Sequence, residues 1–288
     1  MKQQSFIKVG LKFILAILAL FYAANSYAGG GWPQPKGSGY FKLGQYSIIA
    51  DSYFTPAGDI VDITTTGFHA TYLYGEYGIT DKLTTTVYFP FFSRSTLNRV
   101  EDASGELVQE GESVNSLGDT DIGFKYNIIN KGVAVSALLT LGLPLGNPSG
   151  GASGLLQTGD GEFNQMISID ASKSFGGGKF YASAMLGFNN RTQGFSDEIR
   201  YGLEGGYHFS NFWAIMRIDG RTPLMNGNED FIPNNGIFSN NIEYIGFNPE
   251  LVYEVKDNWG FSVGAGFAVN AKRILAAPAY NAGIYLKI

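Results

Sequence analysis

The segment 198–209 changes side-chain character at every residue, and this constrains the fold more than any other feature. One set of alternate positions is charged or small: Glu198, Arg200, Gly202, Glu204, Gly206 and His208. The other set is Ile199, Tyr201, Leu203, Gly205, Tyr207 and Phe209. Successive side chains of a β-strand point to opposite faces, so the pattern predicts a strand between an aqueous and an apolar environment. A soluble sandwich shows the same pattern, and one strand does not decide between the two.

The same alternation recurs along most of the chain and predicts an all-β architecture. About twelve segments show it, each close to the length of a tilted transmembrane strand. They lie near 40–49, 68–77, 83–92, 119–129, 133–143, 163–173, 179–189, 198–209, 212–219, 242–254, 259–269 and 279–288. Strand 68–77 is ambiguous, because neither of its faces is cleanly polar.

The connections between these segments fall into two alternating length classes. Short ones, rich in turn-forming residues, lie at 78–82, 130–132, 175–178, 210–211 and 255–258. Long ones lie at 50–67, 93–118, 144–162 and 220–241. Short periplasmic turns and long external loops are typical of an outer-membrane barrel. We therefore predict a transmembrane, up-and-down antiparallel β-barrel, with both chain ends in the periplasm.

The first 28 residues predict a secretory signal peptide. Lys2, Lys8 and Lys12 precede an apolar run at 13–23, and Ser26-Tyr27-Ala28 offers small residues at the cleavage site. A membrane anchor is the alternative, but a spanning helix needs about 20 apolar residues. We predict three regions: the cleaved signal at 1–28, an irregular segment at 29–38 and the barrel at 39–288. The Gly- and Pro-rich segment around Trp32 is a candidate plug that folds into the barrel.

Composition argues against nucleic acid as a partner. The chain has no cysteine, and removal of a signal with three lysines and no acidic residue lowers the net charge from −5 to −8. A strongly acidic mature chain is unsuited to nucleic acid.

The last predicted strand ends in Tyr280, Ala282, Ile284, Leu286 and Ile288. It resembles the final strand by which the assembly machinery reads outer-membrane proteins, although most of those end in Phe.

The predicted inner face carries the candidate site. We expect Lys42, Asp121, Lys125, Asp170, Glu198, Arg200, Glu204, His208, Arg217, Asp219 and Glu250 to face the lumen. They could line a path and set which solutes pass, or they could pair across strands and fill the interior. The sequence leaves both possibilities open. Inward aromatic residues at Tyr40, Tyr46, Tyr88, Tyr181 and Tyr244 favour an organic solute over a bare ion.

Catalytic and cofactor chemistry finds little support. The two histidines, His69 and His208, lie on different predicted strands, and neither has a serine in a suitable position. With two histidines and no cysteine, a zinc site is not expected. The acidic loop around Glu101 and Glu110 has no spaced calcium motif. We predict no catalytic residue, no metal and no cofactor.

Three stretches resemble outer-membrane transporters related to the MetA-pathway phenol-degradation family. They are the turn at 75–83 (GEYGITDKL), the strand entry at 118–126 (GDTDIGFKY) and the strand exit at 141–144 (LGLP). The resemblance implies a barrel in the outer membrane of a Gram-negative cell that passes hydrophobic or aromatic compounds. It supplies no catalytic residue.

We therefore expect an outer-membrane channel for passive passage of a small organic solute. The alternative is a structural or surface-interaction barrel with a filled lumen and no transport. The expected partners are outer-membrane lipid and lipopolysaccharide, the assembly machinery and the solute.

Overall fold

The computed structural model describes residues 30–228 and 237–288, and the predicted signal peptide lies outside them. Twelve long strands form one antiparallel sheet that closes on itself, because β1 pairs with both β2 and β16. The strands are β1 (Gly39–Phe54), β2 (Ile60–Gly78), β3 (Leu83–Leu97), β4 (Val100–Glu101), β5 (Leu107–Gln109), β6 (Glu112–Ser116), β7 (Thr120–Lys131), β8 (Val133–Leu143), β9 (Asn164–Phe175), β10 (Phe180–Arg191), β11 (Glu198–Phe209), β12 (Phe212–Pro223), β13 (Glu243–Lys256), β14 (Trp259–Lys272), β15 (Ile274–Leu275) and β16 (Ala279–Lys287). The predicted barrel is confirmed.

The four short strands do not belong to the regular wall. Strand β6 pairs with the outer end of β3, β15 pairs with the outer end of β1, and β4 and β5 form a small separate hairpin. One 3-10 turn, Gly176–Gly178, joins β9 to β10. Among the described residues no helix is long and apolar enough to cross a bilayer.

Alternation along each strand separates the two surfaces of the wall. On β10, Leu186 is 62% exposed on the outer face, whereas Asn189 is fully buried on the inner face. Large apolar side chains are likewise exposed on the outer faces of the neighbouring strands, among them Ile167, Leu203, Phe247 and Val263. An apolar belt of this extent around a closed barrel is the surface of a membrane-spanning protein.

The two faces of strand β2 explain why the alternation of polar and apolar residues is ambiguous there. Phe68 and Ala70 are buried and face inward, whereas His69 and Thr71 face outward beside β1 and β3. The usual order of polar inside and apolar outside is therefore reversed in the outer half of this strand. In the half nearer the short turns, the inward set continues with Tyr72, Tyr74 and Glu76, and Leu73 faces outward.

A β-bulge interrupts the β2–β3 ladder next to this region. The register shifts between Thr71 and Leu73, which pair with Phe92 and Phe89. The extra residue on β3 lies beside Pro90, whose missing N–H cannot serve a ladder. Its carbonyl accepts a hydrogen bond from Gly118 N at 2.8 Å. After the bulge, Ser93 and Ser95 face inward and Arg94 faces outward.

We expect an arginine at the middle of the outer apolar belt to destabilise the barrel. Leu186→Arg places a charge opposite hydrocarbon and is expected to lower the free energy of unfolding by about 2–4 kcal/mol. Folding in phospholipid vesicles over a denaturant series measures the effect.

Asn190→Arg is the matched control, because Asn190 is exposed on the same face at the outer end of β10. There the cost is expected to be about 0–1 kcal/mol. Equal costs for the two variants would contradict the assignment of the belt.

Candidate functional site

The eleven charged residues predicted to line the lumen all lie on inner strand faces. They come from β1 (Lys42), β7 (Asp121, Lys125), β9 (Asp170), β11 (Glu198, Arg200, Glu204, His208), β12 (Arg217, Asp219) and β13 (Glu250). Their contacts divide them among groups at different heights in the barrel, so they do not form one cluster.

The central group is a chain of ion pairs along the wall. Glu250 receives Lys42 Nζ at 2.8 Å on one carboxylate oxygen and Arg217 Nη1 at 2.5 Å on the other. Arg217 also pairs through Nε with Glu204, which accepts a hydrogen bond from Tyr181 OH at 2.6 Å. This series of contacts therefore links β1 to β10 through β13, β12 and β11.

A small residue in the wall makes this series of ion pairs possible. Lys42 extends from β1 across β16 and β14 to reach Glu250 on β13. A Cβ added at Gly283 of β16 would lie 2.6 Å from Lys42 Cε. Only glycine leaves room for the lysine stem at that position, so the sequence at Gly283 serves a contact between strands that are distant in the chain.

The group at the end with the short turns is centred on Glu76, which the sequence did not single out. Its carboxylate accepts hydrogen bonds from Tyr74 OH at 2.5 Å, Gln34 Nε2 at 3.2 Å and Lys125 Nζ at 3.3 Å. Glu76 is 1% exposed. It was missed because the neighbouring inward residues of β2 are aromatic or small, which concealed the polar face. Asp170 lies nearby on β9 and accepts a hydrogen bond from Ser168 Oγ at 3.3 Å.

The irregular segment before β1 enters the lumen at this end. Gly31 N donates to Ser172 Oγ at 2.8 Å, and Gly31 O accepts from Ser136 Oγ at 2.7 Å. Gln34 N donates to Thr84 Oγ1 at 2.8 Å. These partners lie on β9, β8 and β3, and Lys125 Nζ of β7 donates to Trp32 O at 3.4 Å. Residues 30–34 therefore occupy part of the cross-section of the barrel.

The group nearer the long loops is centred on Glu198. Arg200 Nη2 approaches its carboxylate at 2.5 Å, Asn189 Nδ2 at 3.0 Å and Arg221 Nη1 at 3.8 Å. Arg221 was missed because the predicted strand ended at 219, four residues before the end of β12. The alternation of Arg217 and Asp219 continues to Arg221, and this period was the available signal.

Two more of the predicted inward charges, Asp121 and Asp219, lie near this group. Asp121 on β7 interacts electrostatically with Arg200 of β11. The guanidinium of Arg221 lies 5.5 Å from the ring centre of Tyr244, whose hydroxyl donates to Asp219 at 3.2 Å. Asn248 Nδ2 also donates to Asp219. Two charged residues of β12, Arg221 and Asp219, thus contact Tyr244 of β13 inside the barrel.

An apolar patch covers the inner wall near the long loops, which the sequence did not predict. Ile48, Ala50 and Phe68 are buried there, together with Leu275 of β15. Phe238, from the loop between β12 and β13, packs edge-on against Phe68 with ring centres 5.5 Å apart. The prediction of charges inside and apolar groups outside is therefore incomplete, because one arc of the interior is apolar.

The two histidines lie apart. His208 Nε2 is 3.0 Å from Glu254 Oε2 and stacks on Trp213 inside the barrel, whereas His69 lies on the outer face. Within the described residues no group of three or more His, Asp or Glu side chains is arranged to hold a metal ion.

The loop between β8 and β9 is held at the mouth of the barrel by carboxylates. Asp119 accepts hydrogen bonds from Gly146 N at 2.9 Å and Asp160 N at 2.7 Å. Arg191 pairs with Asp160 and Glu162, each at 2.7 Å. Both ends of residues 144–163 are thereby fixed, and Leu156 and Thr158 between them are buried.

The Asp119 and Asp160 carboxyl groups also contact each other. Burial raises the pKa of Asp160 to about 6; the Arg191 guanidinium opposes this shift and the Asp119 carboxylate adds to it. Burial likewise raises the pKa of Asp119. Asp160 therefore holds a proton and donates it in a hydrogen bond to Asp119 under mildly acidic conditions.

Sequence comparison places the chain in a family. The model of the family described as "Putative MetA-pathway of phenol degradation" matches residues 48–282, which is more than half of the chain. The chain belongs to this phenol-degradation family. The resemblance seen in the sequence is thereby confirmed. None of the curated proteins matches the sequence.

Solved structures with the same fold are outer-membrane barrels. The COG4313 outer membrane channel from Pseudomonas putida F1 is 14% identical, with a TM-score of 0.61, and the match covers 91% of this chain and 100% of the other. The NanC porin is 9% identical, with a TM-score of 0.54, and the match covers 86% of this chain and 100% of the other. At these identities the likeness establishes the barrel fold of this family member.

We expect the 144–163 loop of this family member to loosen as pH rises. A released aspartate has the ordinary pKa of 3.8, below the value of about 6 in the closed loop. The closed loop therefore binds the proton more tightly, so its stability falls as pH rises from about 4 to about 6 and is level above that. A spin label at Leu155→Cys, the sole cysteine of that variant, should become more mobile over this range.

Asp160→Asn keeps an uncharged hydrogen-bonding group and should remove this pH dependence. Asp102→Asn is the matched control, because Asp102 is exposed in another loop and hydrogen bonds from Ser104 and Glu106 lower its pKa. A pH response that persists in the Asp160 variant would assign it to another group.

Proposed function

We propose that the protein is an outer-membrane channel of a Gram-negative cell that passes a small hydrophobic or aromatic solute passively. The observation that carries this proposal is the two-sided interior. An apolar arc with Ile48, Phe68 and Tyr46 lies on one side, and a charged arc with Arg200 and Arg217 lies on the other. A solute with an aromatic body and a polar substituent can contact both arcs at once.

The comparisons support the same class of protein. The Pseudomonas putida protein of the same fold is described as an outer membrane channel. The family description refers to phenol degradation. A channel requires no bond-making chemistry, in keeping with two histidines that share no site. These points favour a channel over an enzyme.

The lining role of the charged residues rests on their exposure within the barrel. Arg217 has two contacts with carboxylates, yet its side chain remains 42% exposed, and that of Arg200 is 31% exposed. Since both face inward, this exposed area borders lumen space that water can enter. Some of the eleven inward charges therefore pair with one another along the wall, as Lys42 does with Glu250 and Arg200 with Glu198, while the exposed parts of Arg200 and Arg217 face the path.

The filled barrel without transport remains the second candidate, and one observation favours it. Residues 30–34 fill part of the lumen with hydrogen bonds to β3, β7, β8 and β9. In the proposed channel this segment is a periplasmic plug that narrows the path, and the 144–163 loop narrows the outer mouth. Removal of the plug separates the two candidates.

The remaining proposed partners follow from location. The outer apolar belt contacts membrane lipid, and lipopolysaccharide would surround the outer half of the barrel. Strand β16 presents Tyr280, Ala282 and Ile284 outward, and it is the proposed recognition strand for the assembly machinery. Residues 1–28 would direct export and be removed.

We expect solute flux to depend on the plug. Liposomes containing the mature protein should take up monoaromatic compounds faster than empty liposomes, and deletion of residues 29–36 should increase both uptake and single-channel conductance. The deletion removes the contacts of Trp32 and Gln34 that cross the lumen. A panel of monoaromatics, fatty acids and sugars defines the preferred class.

A variant with Lys36→Gln is the control, because Lys36 is exposed and lies at the end of the segment. Absence of flux and conductance from both the intact and the deleted protein would reject transport and favour the filled barrel.

We expect Arg217→Gln to change ion selectivity. Removal of its charge leaves Glu204 without a cationic partner and Glu250 with Lys42 alone, so the lumen should become more selective for cations. Because Arg217 is 42% exposed, water screens the pair, and the loss of stability should be about 1 kcal/mol or less. Reversal potentials in a salt gradient measure the selectivity.

Arg99→Gln removes an exposed arginine that pairs with Glu101 in an outer loop, and it should leave selectivity unchanged. A large loss of stability in the Arg217 variant without a shift in reversal potential would indicate a filled interior instead.

A further inference from the structure

A row of polar side chains lies on the outer face of the barrel, where the neighbouring surface is apolar. Strand pairing places Ser47 opposite His69, His69 opposite Arg94, and Arg94 opposite Asn115. Opposed residues in a sheet share a face, so all four side chains point away from the lumen. The pattern is unexpected on a surface that contacts lipid.

The height of Arg94 places this row near the outer edge of the membrane. Arg94 lies eleven residues beyond Leu83, where β3 leaves its short turn. At about 3.3 Å per residue and a tilt of about 40°, Arg94 is roughly 28 Å above that turn. The apolar belt of such barrels is about 25 Å tall. Arg94 is therefore at the level of lipid headgroups in the outer leaflet.

Arg94 has no carboxylate partner within 4 Å among the described residues. By contrast, each arginine on an inner face pairs with Glu or Asp. Arg94 Nη1 donates a hydrogen bond to Asn115 Oδ1 at 3.1 Å. A guanidinium at the headgroup level is well placed to bind an anionic group of a lipid through charge-assisted hydrogen bonds. None of the described residues supplies a counter-ion for Arg94, so an anion from outside them is expected to bind it.

A recess beside Arg94 offers two more hydrogen-bonding groups. A Cβ added at Gly67 would lie 2.7 Å from Thr96 Oγ1 and 3.3 Å from His69 Nε2. Both atoms thus border the space that glycine leaves on the outer face. Ser47 Oγ is 2.8 Å from His69 Nδ1, which orients the ring and leaves Nε2 for another partner.

We propose that Arg94, His69 and Thr96 form a binding site for a phosphate of lipid A, the bisphosphorylated glycolipid of the outer leaflet. A guanidinium, an imidazole and a hydroxyl together match the oxygens of a phosphate. The headgroup level of the site favours a phosphate anchored in the membrane over free phosphate. The inference rests on the proposed outer-membrane location and is independent of solute transport.

Native mass spectrometry of the mature barrel in detergent tests the site. The probes are bisphosphorylated lipid A, the same lipid A after dephosphorylation, phosphatidylglycerol and inorganic phosphate. The intact protein should bind bisphosphorylated lipid A about tenfold more tightly than the dephosphorylated form, since charge-assisted hydrogen bonds to phosphate are lost in the latter.

Arg94→Gln should abolish this preference, whereas Arg99→Gln, which removes the arginine paired with Glu101, should retain it. Thr96→Val removes one hydroxyl at nearly constant volume and should weaken the preference about threefold. Heat-modifiable migration on gels verifies that each barrel is folded. Monoaromatic flux through the Arg94 variant should be unchanged, which separates a failure of this site from a failure of transport.

Three results would overturn the proposal. The first is a folded Arg94→Gln variant that retains the full preference for bisphosphorylated lipid A. The second is phosphatidylglycerol binding as tightly as lipid A, which would indicate a general lipid phosphate site. The third is displacement of lipid A by inorganic phosphate at equal concentration, which would indicate a site for the free ion.

Discussion

Closure of the backbone hydrogen-bond ladder is the constraint on which this protein depends. A bilayer interior offers no water to an unpaired N–H or C=O, so a sheet that spans it must have no free edge. Strand β1 meets this condition by pairing with β2 on one side and β16 on the other. Once the sheet is closed, period-two alternation assigns every side chain to lipid or lumen.

Closure also brings many charged side chains into a confined space, where lysine and arginine form ion pairs with glutamate. Lys42 and Arg217 both form ion pairs with Glu250, and Arg200 forms an ion pair with Glu198. A buried unpaired charge is expensive, whereas a paired one at a wet wall is tolerated. Glycine on β16 allows Lys42 to reach across, so small residues in the wall are as necessary to the network as the charges.

The two ends of the lumen are narrowed by different means. The amino-terminal segment is held by hydrogen bonds to serine, threonine and asparagine on β3 and β7–β9, together with Lys125 and the carboxylate of Glu76. The 144–163 loop is held by carboxylates and Arg191, of which the Asp119–Asp160 pair changes protonation at mildly acidic pH. The outer end therefore responds to protons. Between the ends, the apolar arc around Phe68 faces the charged arc around Glu198, and this pairing of surfaces suits an amphipathic aromatic solute.

The sequence by itself determined the barrel, because the alternation, the two loop classes and the absence of a long apolar segment after residue 28 are local properties. It also determined which charged residues face inward, because the period-two alternation within a strand such as 198–209 shows which side chains lie on its polar face. It did not reveal Glu76, because Tyr72 and Tyr74 share that face and aromatic residues suit either environment. It placed the end of β12 too early and so missed Arg221.

Only the tertiary structure decided which residues meet. The Ser47–His69–Arg94 row joins three strands and depends on the register of β1, β2 and β3, which a bulge at Pro90 shifts by one residue. The apolar patch depends on Phe238, which a loop more than 150 residues further along the chain brings against Phe68. Periodicity reports the face of each residue; register and loop packing, which arise from contacts between distant segments, determine its neighbours.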